Sequence, residues 1–143
     1  MNKQSLNRTV KRQKPPAKSK YLNQKIEADG YKFDSKAEYR YYLRLKQQVV
    51  NGEIQSFEMQ QPFVLLEGFR KGGKKYQDIV YKADFVVTQN DGEIVVVDVK
   101  GQPKVTADFA MKFKLFHSKY PHRFIIARYN YKTHRFTEKE TLR

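Results

Sequence analysis

Asp98-Val99-Lys100 puts a carboxylate and an ammonium two residues apart at the end of an apolar run, Ile94-Val95-Val96-Val97. Side chains two apart on a strand share a face, so Asp98 and Lys100 point the same way. An acid at the end of such a strand costs stability unless something compensates it. A salt bridge to a basic residue is one compensation, and a metal ion is the other. The tripeptide alone decides nothing, because a chain this rich in lysine contains roughly two acid-x-Lys matches by chance. The other match, Asp34-Ser35-Lys36, reads as a helix cap.

Asp84 decides between the two compensations, through register. If Asn90-Asp91-Gly92 forms a three-residue loop with Gly92 left-handed, Gln89 pairs with Glu93 and Asp84 lies opposite Asp98. One face then carries Ala83, Phe85, Val87, Val95, Val97 and Val99, all apolar. The other carries both acids, with Val86 and Val96 beside them. A two-residue Asp91-Gly92 turn would split the acids between faces and break the apolar face. Register follows the hydrophobic pattern where a face is buried, which favours the three-residue loop. Opposed like charges destabilise a sheet, so the facing pair points to a divalent cation between them. Glu38 is the third acid. At 38, 41, 42, 45 and 49 it extends the stripe Tyr41, Tyr42, Leu45 and Val49 and so faces the sheet. Its alternative role is the glutamate of a capping box with Ser35.

Hard oxygen ligands select Mg²⁺ or Mn²⁺. Cysteine is absent, and His117, His122 and His134 have no zinc spacing. A metal held by Glu38, Asp84 and Asp98 can bind a phosphate oxygen and acidify a bound water. Lys100 can orient that water and offset transition-state charge, or else pair with Asp98.

The elements that must position these residues read as α-β-β-β-α-β. A helix starts at Asp34 or Ser35 and stops at Asn51-Gly52. Strands follow at residues 63–69, 76–88 and 93–100, with turns at Gly72-Gly73 and Asn90-Asp91-Gly92. A second helix runs from about Ala107 to Tyr120, capped by Thr106, with Phe109, Phe113, Phe116 and Tyr120 on one face. Residues 123–129 form a buried strand. The expected class is α/β (α+β): a mixed four-stranded sheet flanked by helices. The first three strands form a meander, and the last two are parallel through a helical crossover.

The 143 residues fit one compact domain. Residues 1–20 are expected to be a disordered basic arm, and 21–143 the folded domain. Residues 1–25 hold eight basic residues and no acid, within a net charge of +14. That excess points to nucleic acid as partner. No apolar run is long enough to cross a membrane. The basic start lacks an apolar h-region, so it does not read as a secretory signal. The lack of cysteine fits an intracellular protein. Arg70, Lys71, Lys74 and Lys75 flank the Gly72-Gly73 turn, and Lys82, Lys104, Lys112 and Lys114 lie nearer the acids or on the second helix. All eight are candidate DNA contacts, to phosphate rather than to bases.

A helical Glu38, a hairpin Asp84 and Asp98-Val99-Lys100, in this element order, resemble the PD-(D/E)XK restriction-endonuclease-like superfamily. The spacing of 14 between the aspartates is usual there, and Ala83 replaces the usual proline. Phe33-Asp34-Ser35-Lys36-Ala37-Glu38, Gln61-Pro62-Phe63, Tyr81-Lys82-Ala83-Asp84-Phe85 and Asp98-Val99-Lys100-Gly101 resemble a small phage and prophage family linked with recombination or junction nucleases. The resemblance implies Mg²⁺-dependent DNA hydrolysis with Glu38, Asp84, Asp98 and Lys100 as active site. It further implies a branched substrate such as a Holliday junction or fork, a homodimer making paired cuts, and a bacterial cytoplasmic setting. The competing readings are a site-specific restriction or transposition-type nuclease, a non-catalytic nucleic-acid-binding protein whose acids are structural, and a cationic protein acting on host machinery.

Overall fold

The computed structural model describes residues 25–101 and 104–143. The expected arm at 1–20 lies outside the described residues. The chain runs β1 (Ile26–Ala28), β2 (Tyr31–Phe33), α1 (Lys36–Val50), β3 (Ser56–Leu66), β4 (Phe69–Lys71), β5 (Lys74–Tyr76), β6 (Ile79–Thr88), β7 (Ile94–Lys100), α2 (Ala107–Lys119), β8 (Arg123–Asn130) and β9 (Arg135–Lys139). Stripped of its small hairpins, the order is the expected αβββαβ with one strand added.

The main sheet has five strands, ordered β3-β6-β7-β8-β9. This corrects the expected four. β3, β6 and β7 form the antiparallel meander, and β7 and β8 are parallel. The extra strand β9 pairs antiparallel with β8 at the edge. β3 starts at Ser56 rather than residue 63, with Phe57 and Met59 packed against the core. Pro62 lies in β3, which as the other edge strand tolerates a missing donor.

The three-residue loop is present. Gln89 N–H donates to the Glu93 carbonyl at 2.8 Å, Gly92 N–H donates to Gln89 at 2.9 Å, and Gly92 has φ +87°. Thr88 therefore pairs with Ile94, Val87 with Val95, Val86 with Val96 and Phe85 with Val97.

A helix covers each face. Tyr41, Tyr42 and Leu45 of α1 pack with Phe85, Val87, Val95 and Val97. Phe109 and Phe116 of α2 pack with Val86, Val96, Phe124 and Ile126 on the other side. Burying each such side chain contributes about 1.5–3 kcal/mol. Two details differ from expectation. Val49 is 38 % exposed, because the last turn of α1 projects past the packed stripe. Ala83 packs with Val86 and Val96, not with Phe85. Strand alternation therefore slips at Asp84, between Ala83 and Phe85. Among the described residues, no helix is long and apolar enough to cross a membrane.

Candidate metal and phosphate site

The slip at Asp84 builds the site. Phe85↔Val97 is the last matched pair of the β6–β7 ladder, and Asp84 and Asp98 stand one step beyond it. The Val99 N–H donates instead to Asp84 Oδ2, at 2.7 Å. A side-chain carboxylate thus takes the place of the next ladder acceptor, and the strands part. On β3 the same row is irregular. Gln60, between the pairs Met59↔Phe85 and Gln61↔Ala83, has φ +57°. A non-glycine residue there is strained by about 1–3 kcal/mol.

Glu38 joins from the first turn of α1. Ser35 caps the helix by accepting from the Glu38 N–H at 3.1 Å, as a capping box requires. The return bond goes elsewhere. Glu38 Oε2 accepts from the Asp34 N–H at 3.3 Å, and Oε1 accepts from Gln60 Nε2 at 2.8 Å. The glutamate is therefore held at both oxygens, 6 % exposed, and directed at the cleft.

The cleft, about 320 Å³, is lined by Glu38, Asp84, Asp98, Lys100 and Lys104, with Thr106 at the cap of α2. The N-termini of both helices open into it, which favours an anion. Thr106 caps α2 by accepting from the Phe109 N–H at 3.1 Å. Lys100 Nζ lies 2.8 Å from Asp98 Oδ1 and 3.8 Å from the centre of the Phe109 ring. The ammonium is thus fixed by an ion pair and a cation–π contact.

Asp98 is 5 % exposed, and among the described residues the one full charge set against its Oδ1 is the Lys100 ammonium at 2.8 Å. A single paired ammonium faces three clustered carboxylates, Glu38, Asp84 and Asp98. Buried carboxylates that outnumber their cations are costly, and a divalent ion is what would balance them.

Burial pushes the Asp84 carboxyl well above the usual carboxylate range, and the charges of Asp98 and Glu38 push it further. Burial also raises Asp98, against the lowering pull of Lys100. Burial raises Glu38, against the Asp34 N–H bond. Three carboxylates that resist ionisation together are a site short of positive charge. Among the described residues, no three acidic or histidine side chains close a metal cage by themselves. Two carboxylates with water and phosphate completing the shell fit magnesium, which seldom takes an all-protein cage.

Glu38, Asp84, Asp98 and Lys100 are therefore brought together, and Lys104 with them. The other proposed DNA contacts do not line this cleft. Arg70, Lys71, Lys74 and Lys75 are exposed on the β4–β5 hairpin, beside the stacked rings of Phe69 and Tyr76. Lys82 is exposed on β6, and Lys114 on α2. Lys112 lies 3.5 Å from Asp108 in an ion pair along α2. Gln60 was invisible in sequence. A glutamine just before Gln61-Pro62 carries no sign of a left-handed backbone, and its partner is 22 residues away.

Residues 18–137 match the family described as protein of unknown function (DUF1064). The chain belongs to that family. No curated protein matches it. Among solved structures, the crystal structure of SSO0001 is similar, with TM-score 0.43 and 17 % identity over 71 % of this chain. The match spans 48 % of that protein, so this chain covers about half its length.

Proposed function

We propose that this DUF1064 protein is a metal-dependent endonuclease that hydrolyses phosphodiester bonds in DNA, acting on branched DNA. One observation carries the reading: Glu38, Asp84 and Asp98 line one cleft where the β6–β7 ladder opens, three carboxylates with Lys100 as the one ammonium paired to them among the described residues. The Asp-x-Lys pattern, the sequence resemblance and the net charge of +14 support it.

Asp84 and Asp98 would hold a Mg²⁺ or Mn²⁺ ion, with Glu38 completing the acidic wall. When bound, that ion supplies positive charge to phosphate oxygens and an acidified water. The remaining work falls to the chain. Lys100, fixed between Asp98 and Phe109, orients the attacking water and offsets charge building on the phosphate. Lys104 and the two helix N-termini draw the phosphate into the cleft. Gln60 and the Asp34 N–H hold Glu38 in place. The branched substrate and a homodimer making paired cuts rest on the family resemblance.

A second reading, a binding protein with structural acids, is favoured by the 2.8 Å Lys100–Asp98 pair. It gives Asp84 and Glu38 backbone and amide donors but leaves the repulsion among the three acids uncompensated.

The deciding experiment incubates labelled four-way junction, duplex and single strand with Mg²⁺, Mn²⁺ or EDTA. Metal-dependent cutting that favours the junction is expected. Equal cutting of all three would leave a general nuclease. No cutting, with tight binding retained, would select the binding-protein reading.

A further inference from the structure

A second concavity, of about 830 Å³, opens beside the carboxylate cleft at the ends of β8 and β9, and Gly101 lines both. Arg128, Lys132, Lys139 and Arg143 line it together with Tyr131 and Leu142, and no Asp or Glu side chain is among the lining residues. Lys132 and Lys139 make no ion pair among the described residues. The nearby Glu138 is engaged elsewhere, by Tyr41 at 3.0 Å and Arg44 at 3.2 Å. Arg128 spends one nitrogen on the Leu142 carbonyl at 2.8 Å, out of five N–H donors in its fork.

Tyr131 stands between the two concavities. Its ring packs edge-on against Tyr129, with centroids 4.9 Å apart. Its hydroxyl lies so close to Gly101 that a Cβ there would be 2.8 Å away. Gly101 is not in the left-handed region, so glycine serves space here, not conformation. Tyr131 thus fills the space beside Gly101, and the bare backbone of Gly101 is the boundary that the two concavities share.

We propose that this concavity binds an unpaired nucleic-acid strand immediately beside the scissile phosphate. The placement of that phosphate rests on the nuclease reading above. Cations on a rim with an aromatic wall are the combination that holds single strands, through phosphate contacts and base stacking. A duplex offers a concavity only its convex phosphate edge, because its bases are stacked and paired. An unpaired segment, as found at the branch point of a junction or fork, can place a base against Tyr131 and its phosphates against the lysines. The structural selectivity of the enzyme would then lie in this concavity.

The test measures fluorescence anisotropy of the full chain with a labelled oligo-dT of about 15 nucleotides and with a blunt duplex, in EDTA so that nothing is cut. Both lysines are exposed, so Lys132→Gln/Lys139→Gln should fold as the parent does, checked by circular dichroism. The expected result is a fall in single-strand affinity on the order of tenfold, with the salt slope reduced by about 1.4, two phosphates at ~0.7 each. Duplex affinity should change far less. Tyr131→Leu should weaken single-strand binding without altering the salt slope. A parent protein that does not bind the single strand, an unchanged slope in the double variant, or an equal loss on duplex would each overturn the proposal. A parent that binds single strand through these lysines but cuts no DNA would overturn the nuclease reading and leave the strand subsite standing.

Discussion

At its turn end, the β6–β7 hairpin closes with Gly92 in the left-handed region, a regular ladder, and valines packed on both faces. At its other end, the same two strands carry Asp84 and Asp98, lose their register partners, and bury carboxylates that repel one another. The turn end is arranged for stability. The open end holds crowded negative charge, with the left-handed Gln60 of β3 beside it, and such costs cluster at functional sites. The closed half, with its fixed register, sets where the open half places its acids.

The largest break in this comparison comes from the open end. Asp98→Ala should lower metal-dependent DNA cleavage by at least ~10³-fold, several kcal/mol of lost transition-state stabilisation. Lys100→Met should cost about 10²-fold. Both should leave circular dichroism and DNA affinity close to the parent's. Retention of full cleavage by Asp98→Ala would place the chemistry elsewhere.

A sharper test uses stability. The Asp84 carboxyl is raised in the fold, so in metal-free protein the unfolded chain ionises first as pH rises. The folded state then binds more protons, and stability is lost on climbing from the ordinary carboxylate range through the raised value. Asp84→Asn removes that loss and keeps an acceptor for the Val99 N–H. In EDTA near pH 8 it should be more stable than the parent by about 1–2 kcal/mol, the gain shrinking toward pH 4. Urea unfolding at both values reads this, and a destabilised variant at pH 8 would contradict it.

Gln60 joins the two properties. Gln60→Ala keeps the strained φ of +57° but loses the amide that holds Glu38. It should lower cleavage about tenfold or more. Gln60→Gly loses the same amide and relieves the backbone, so it should be more stable than the alanine variant by about 1 kcal/mol. Equal stability of the two would show that the backbone there is not strained.

The smallest effect belongs to the closed end. Gly92→Ala forces a side chain into φ +87° and should cost about 1 kcal/mol, with cleavage unchanged. A large loss of cleavage would mean that register at the open end tolerates no disturbance of the turn.

Much of this was legible in the sequence because the central strands bury both faces. The alternation in residues 85–87 and 95–97, with Gly92 placed for a three-residue loop, fixes register and so puts Asp84 beside Asp98. The Thr106 cap and the Phe109 and Phe116 stripe are local signals of the same strength. The edges were harder to read. β9, Arg-Phe-Thr-Glu-Lys, is mostly exposed and polar, whereas the start of β3, Ser-Phe-Glu-Met-Gln, does alternate and is a legible strand signal that a start at residue 63 passes over. β1 and β2 are three residues each and gain their stability from packing on α1. The slip that moves Ala83 to the other face, and the bond from Gln60 to Glu38, arise from side chains replacing ladder partners. No periodicity encodes that.

The most direct measurement is thermal unfolding at about pH 8 across a Mg²⁺ or Mn²⁺ titration, for the parent and Asp84→Asn. A ligand that binds the folded state alone adds about 2.7 kcal/mol at a hundred times its Kd. The predicted result is a melting temperature that climbs with metal in the parent and stays nearly flat in Asp84→Asn. A parent that ignores both metals, or a variant that responds equally, would contradict a cation site at the open end of the hairpin.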